Sequence, residues 1–431
     1  MKNKYMRTVY SIIITIFCVN INAQETSMQQ AYQERVVNYD HNIKAAIHAA
    51  MATSESVESA KADLKPKIDG NANFNFTGNP LKYDFTLPDI NKNYIICGRH
   101  TKYGASLTIS QNIYSGGARK ARVGKAKVEN ETANIEIKRI TNNIRYYADQ
   151  LYWNNVAKQE IIRVAEKYRK ATATLVNIVK QRVEQGYTNQ NDLLMAEVRL
   201  NDAEYQLQLA QNEAETARLT LNSLAGVPST EIIEIDTILC SDIAFTSIDI
   251  IDISKRPELA IAQKQIDIKK YAACISDAEY KPNFSVGING NYSSPGYDFK
   301  AAPDPNYSIY ATLSIPIFEW GKRRNSRRMG QHATNIAKEE LNNVADGLQL
   351  EAETAKCNYL KAYEQIKLTA SSLHKAEESL TMSTDKYKEG SVSVIEVINA
   401  QLYYLEAYKS HINSKLNACM AKSSLEYAHG Y

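Results

Sequence analysis

Chain breakers are scarce: 431 residues include only 17 Gly and 10 Pro, so long uninterrupted elements are expected. The 6 Cys contain no C-x-x-C pair, which argues against a zinc site and a disulfide framework. No two of the 7 His lie three to five residues apart, so the ligand spacing of a metalloenzyme is missing. Neither charge dominates, with 51 Lys plus Arg against 48 Asp plus Glu, and the balance gives no case for nucleic-acid binding. The long apolar run at Val9 to Val19 is too short to span a bilayer as a helix.

What the chain has in quantity is Tyr, 28 against 8 Phe. Tyr suits surfaces that are apolar in body and wet at one end, as at membrane interfaces, and equally an ordinary Tyr-rich core. The N-terminus has the layout of a targeting segment. Lys2, Lys4 and Arg7 precede the apolar run, and Ile21-Asn22-Ala23 forms a cleavage site before Gln24. A signal peptide over 1–23 is expected. Cys18 follows Phe17, where a lipoprotein signal needs a small residue, so ordinary cleavage is the reading. It leaves Cys97, Cys240, Cys274, Cys357 and Cys419, an odd number, in a chain that leaves the cytoplasm.

Four stretches alternate with a period of two, at 67–76, 101–114, 283–293 and 307–318. The first sets Ile68, Ala72, Phe74 and Phe76 against Lys67, Asp69, Asn71, Asn73 and Asn75. The second sets Tyr103, Ala105, Leu107, Ile109 and Ile113 against Lys102, Ser106, Thr108, Ser110 and Asn112. The fourth runs Tyr307, Ile309, Ala311, Leu313, Ile315 and Ile317 on one face. Between these stretches the period is helical: 24–64 up to the Pro66 stop, 118–185, 192–225, 257–280 up to Pro282, 321–389 and 394–429. Residues 79–100 are expected as loop, and 226–256, β-branched and acidic, as short strands or a turn-rich connector. The 118–185 segment has three-four apolar spacing, a coiled-coil pattern, and Ala196, Leu200, Ala203, Ala210, Ala214, Ala217 and Leu221 form a small-residue seam on the next helix.

The chain is a tandem duplication. At one fixed offset Gly117 falls on Gly321, Gly186 on Gly390, Ala196 on Ala400, Ala214 on Ala418, Leu221 on Leu425 and Gly226 on Gly430. The domains expected are the signal peptide, a first repeat over 24–226, a connector over 227–256 and a second repeat over 257–431. Each alternating stretch has the length of a tilted membrane strand. Four strands cannot close a membrane barrel, and open edges in lipid are costly, so several chains must pool their strands. A soluble sandwich would also alternate, with shorter turns and more strands.

Two copies of a turn-and-return pattern carry a family resemblance: Glu184-Gln185-Gly186-Tyr187 through Asp192 to Leu200, and Tyr387-Lys388-Glu389-Gly390 through Glu396 to Gln401. Tyr114-Ser115-Gly116-Gly117, Phe318-Glu319-Trp320-Gly321 and Arg256-Pro257-Glu258-Leu259 add to it. Together they resemble the outer membrane efflux family of TolC-like channels. The resemblance implies a mixed fold of transmembrane β and long α-helical hairpins: a homotrimer with a 12-stranded barrel and a periplasmic helical tunnel. It implies a passive exit duct of a tripartite efflux or type I secretion system in the outer membrane of a Gram-negative bacterium, driven by an inner-membrane pump through a periplasmic adaptor. A membrane hydrolase would need a Ser, His and acid set on or beside the strands, and the four alternating stretches contain no His, so no catalysis, cofactor or metal is expected. The alternative is a periplasmic coiled-coil adaptor or scaffold.

Carried over residue by residue, Asp192 and Tyr387 fall on the carboxylate and phenol that link the closed tip, while Val392 stands at the linking arginine. Glu396 and Asn399 fall on the constriction, one helical turn apart. The turns at Gly186, Tyr187 and Thr188, and at Gly390, Ser391 and Val392, are the expected adaptor contacts. Arg119, Lys120 and Arg122, with Lys322, Arg323, Arg324, Arg327 and Arg328, suit a solvated helix start or anionic lipid headgroups. Trp320 and Tyr114 would join an interfacial aromatic belt.

Overall fold

A computed structural model describes residues 27–87, 92–236, 239, 252–296 and 302–430, with the backbone alone at 83–87 and 92–97. The signal segment and residues 237–238 and 240–251 of the connector lie outside the described residues. The long breaker-free stretches fold as expected into α3 (Ala118–Glu184) and α6 (Lys322–Glu389), of 67 and 68 residues. Their return helices are α4 (Gln190–Leu224) and α7 (Val394–His429). Ahead of them run α1 (Met28–Tyr39), α2 (His41–Ala62) and, in the second repeat, α5 (Pro257–Ala278).

The segment expected as one helix over 24–64 is broken at Asp40. Its carboxylate accepts from the amides of Asn42 and Ile43 at 2.8 and 3.0 Å, capping α2 after α1 has ended. Four strands form one antiparallel sheet in the order β1 (Lys67–Phe76), β4 (Thr101–Ser115), β5 (Asn283–Ser294), β6 (Asp304–Ser314). The stretch expected as loop over 79–100 contains a hairpin, β2 (Lys82–Leu87) with β3 (Lys92–Cys97). The last strand lies at 304–314 rather than 307–318. Pro316 has no amide to donate to a ladder, so the alternation of Ile315 and Ile317 outlasts the pairing. A bulge at Asn112/Tyr114 sets Tyr114 opposite Phe284 and makes Ile113 the extra residue. Among the described residues of the connector there is no strand, only a 3₁₀ turn at Ile253–Lys255.

The chain divides into two units. One comprises Met1–Lys44, Ile140–Lys255 and Leu348–Tyr431; the other comprises Ala45–Arg139 and Arg256–Gly347. In the first, Tyr152, Val156, Leu221, Leu239 and Ile412 are fully buried in one cluster. Burying each such side chain contributes about 1.5–3 kcal/mol. Most of the small-residue seam of α4 is buried, with Ala196 and Ala203 at 0 % exposure, while Leu200 and Ala217 are half-buried. Cys419 is disulfide-bonded, which the cysteine spacing did not suggest, whereas Cys274 and Cys357 are free and exposed. The second unit holds the sheet and the helix ends that enter and leave it.

The duplication is visible in the backbone. Three glycine pairs of the repeat adopt left-handed φ, with Gly117 and Gly321 at 93° and 80°, Gly186 and Gly390 at 74° and 83°, and Gly226 and Gly430 at 65° and 91°. Both hairpin turns close the same way. The amide of Tyr187 donates to the Arg182 carbonyl at 2.8 Å, and that of Ser391 to the Lys386 carbonyl at 2.9 Å, each a helix end sealed past a glycine.

Candidate functional site

The sheet register sorts its side chains onto two unlike faces. Ile68, Ile109, Ile288 and Ile309 stand in one row across all four strands. Phe74 pairs with Tyr103, and Leu313 lies opposite Phe284 on the same face. These apolar side chains are open, with Phe74 72 %, Ile309 73 % and Leu313 60 % exposed. The opposite face carries the row Asp69, Thr108, Asn289 and Ser308, in which the Asn289 amide donates to the Thr108 hydroxyl at 2.7 Å. One face suits hydrocarbon and the other suits water. Among the described residues β1 and β6 each leave one edge without a partner strand.

The two hairpin turns meet in a second cluster, where Leu175, Val179, Leu193, Ala196, Tyr387, Val394, Val397 and Ile398 are buried together. Tyr387 lies in this cluster, and no hydrogen bond joins it to Asp192. The Tyr387 hydroxyl is buried without a partner, and the Asp192 carboxylate accepts from Thr188 instead. Burial raises the Tyr387 phenol pKa above its ordinary value, with Arg182 pulling the other way. Val392, at the linking arginine's place, packs against this apolar cluster.

The cation comes from elsewhere. Arg182, in the last turn of α3, lies 4.8 Å from the Tyr387 ring centroid and donates to the Tyr387 carbonyl. It thereby joins the two hairpins and also neutralises carbonyls at its own helix end. Its sequence signal was faint: Arg182 and Lys386 each stand four residues before a turn glycine. Glu396 and Asn399 share an exposed face of the first turns of α7, while Val397 and Ile398 between them are buried. Gly186, Tyr187, Gly390 and Ser391 are exposed at the turns, and Thr188 and Val392 are half-buried.

At the strand–helix junction Asp277 gathers Arg327 at 2.7 Å, Lys281 at 3.0 Å and Arg323 at 3.3 Å. These donors, Arg327 foremost, hold its carboxyl well below the usual carboxylate range. Lys322, Arg324 and Arg328 remain exposed, as does Lys120. Trp320 occupies the repeat position of Gly116 and takes a left-handed φ of 50°. It is 87 % exposed and stacks edge-on with Phe318 at 4.9 Å.

A family model described as outer membrane efflux protein matches residues 32–227 and 253–430. The chain belongs to this family. It is 18 % identical over 336 residues to the pyoverdine export outer membrane protein OpmQ of Pseudomonas putida, covering 77 % of this chain and 71 % of that one. It is 22 % identical over 301 residues to the alkaline protease secretion protein AprF of Pseudomonas aeruginosa, covering 65 % of this chain and 60 % of AprF. Its fold superposes on crystal structures of CusC, described in terms of folding and transmembrane channel formation, with a TM-score of 0.80 at 15 % identity, covering 96 % and 95 % of the two chains. The efflux-family chain therefore has the TolC-like fold, with its long hairpins and four-stranded sheet.

Proposed function

We infer that this member of the outer membrane efflux family is a passive exit duct in the outer membrane of a Gram-negative bacterium, conducting solute from periplasm to exterior. The observation that carries the reading is the four-stranded sheet with one open apolar face and one polar face. No described helix is long and apolar enough to cross a membrane. Four strands with two free edges require more copies, and three give the 12 strands of a barrel above the minimum of about eight. The protomers would then enclose the polar face as a lumen, and the hairpins would form the periplasmic conduit.

In this reading Arg182 and Tyr387 hold the tip, Asp192 supports its turn, and Glu396 with Asn399 lines the constriction. An amide in place of a second carboxylate would weaken cation attraction there. The turns at Gly186–Thr188 and Gly390–Val392 would meet a periplasmic adaptor that couples the duct to an inner-membrane pump. Two measurements test this. The protein should stay with washed membranes through carbonate and high salt, and purified protein should insert discrete conductances into planar bilayers. Release by carbonate without detergent, with no conductance, would instead favour a periplasmic scaffold.

A further inference from the structure

At the helical end of the sheet lies a cavity of about 670 Å³, walled by the end of α2, the first turn of α3, the end of α5 and the adjoining strands. Its strand residues Lys67, Ser110, Asn112, Ser115 and Asn283 all belong to the polar face. Five basic side chains line it, Lys65, Lys67, Arg119, Arg122 and Lys281, against the two carboxylates of Asp63 and Glu279. Lys67 and Lys281 are committed to Asp69 and Asp277. Arg119 donates to the Asn112 carbonyl, which leaves most of its guanidinium donors unused. Lys65 and Arg122 make no ion pair among the described residues.

The backbone adds to this field. Gly116 and Gly117 turn the chain with φ of 63° and 93°, and the first amide to reach a carbonyl at this end of α3 is that of Ala121, donating to Gly117. The amides ahead of it have no carbonyl within the helix, and Ala118 and Arg119 line the cavity. An oriented helix end, two guanidinium groups and an unpaired ammonium line one space on the polar side of the sheet. That combination favours oxyanions.

We propose that this cavity is a binding site for oxyanion-bearing solutes, carboxylates or phosphates, at the junction of strands and helices. The site deepens the exit-duct reading and rests on it for its role: it would favour anionic cargo at the entrance to the barrel. Solute is assigned rather than lipid because the strands contribute only their polar face, and acyl chains need the other one.

The test uses the full chain in non-ionic detergent with labelled pyrophosphate in equilibrium dialysis at low and high salt. Saturable binding should weaken at least tenfold in Arg119→Gln/Arg122→Gln and a few-fold in the exposed Lys65→Gln. The control Arg324→Gln/Arg328→Gln should bind like wild type. No saturable binding by wild type, full binding by Arg119→Gln/Arg122→Gln, or equal loss in the control overturns the proposal. So does displacement by short-chain phosphatidylglycerol but not by citrate, which would make the ligand a headgroup. Lys65→Gln keeps the test decisive should the arginine variant misfold. Binding is read without conductance, so intact binding with no conductance removes the duct reading alone, and conductance without binding removes this one.

Discussion

Arg182 and Tyr387, 205 positions apart in sequence, are joined through both ring face and main chain: the guanidinium lies 4.8 Å from the ring centroid and donates to the carbonyl. The phenol hydroxyl is buried without a hydrogen-bond partner of good geometry, and the Arg182 charge acts on it only against the effect of burial. Arg182→Ala should therefore cost about 2 kcal/mol, from one cation–π contact and one charge-assisted hydrogen bond, and should raise the open fraction in single-channel records. Tyr387→Phe should be neutral or slightly stabilising. Thermal melting of the two variants checks this, and a costlier Tyr387→Phe would return the link to the phenol.

Glu396 begins an exposed helix face that continues at Asn399. If that face lines the constriction, Glu396→Ala should lower cation preference in reversal-potential measurements, and Asn399→Asp should raise it. Unchanged selectivity in both would remove these residues from the pore.

Leu313 lies on the apolar face and Thr312 on the polar one, in register with Phe284 and Ser285. Arginine at Leu313 should cost about 2–4 kcal/mol in a bilayer and block assembly, whereas Thr312→Arg should assemble and change conductance. Gel mobility of unheated membrane extracts distinguishes the two. Equal assembly would mean that the apolar face does not meet lipid.

Trp320 is one of 2 Trp in the chain, and the other, Trp153, is buried at 8 % exposure. Trp320 holds a left-handed φ, which costs an L-residue about 1–2 kcal/mol, where its repeat partner is Gly116. Brominated lipid should quench Trp320 in a Trp153→Phe background. Trp320→Gly should relieve the strain yet weaken membrane insertion. Absence of quenching would place Trp320 away from the interface.

The depressed Asp277 carboxyl fixes a sign for acid lability. A carboxylate held below its unfolded value of about 3.9 contributes stability that is fully present above that pH and is lost as pH falls toward its folded value. Wild type should thus lose more stability than Asp277→Asn between pH 5 and pH 2. At neutral pH the variant should be weaker by about 1–3 kcal/mol, because three cations lose their shared acceptor. Parallel melting slopes across the acid range would refute the assignment.

Local patterns carried much of this. The first strand begins and ends where its alternation does, Val394–His429 is helical over the whole expected span, and the repeat glycines share their backbone state. Features set by partners far along the chain were less legible. The bulge at Asn112/Tyr114 depends on β5, the Arg182 contact on a second hairpin, and the Asp277 cluster on α6. The 82–97 hairpin was hidden because its two runs sit among prolines and are short.

The sequence by itself determined the period of each segment, where breakers end it, and the duplication, because sterics and side-chain alternation act over a few residues. Only the tertiary structure decided which residues share a face, which cation meets Tyr387, and which basic side chains line one cavity. Those depend on register and packing between segments some 50 to 200 positions apart, where no local preference reaches.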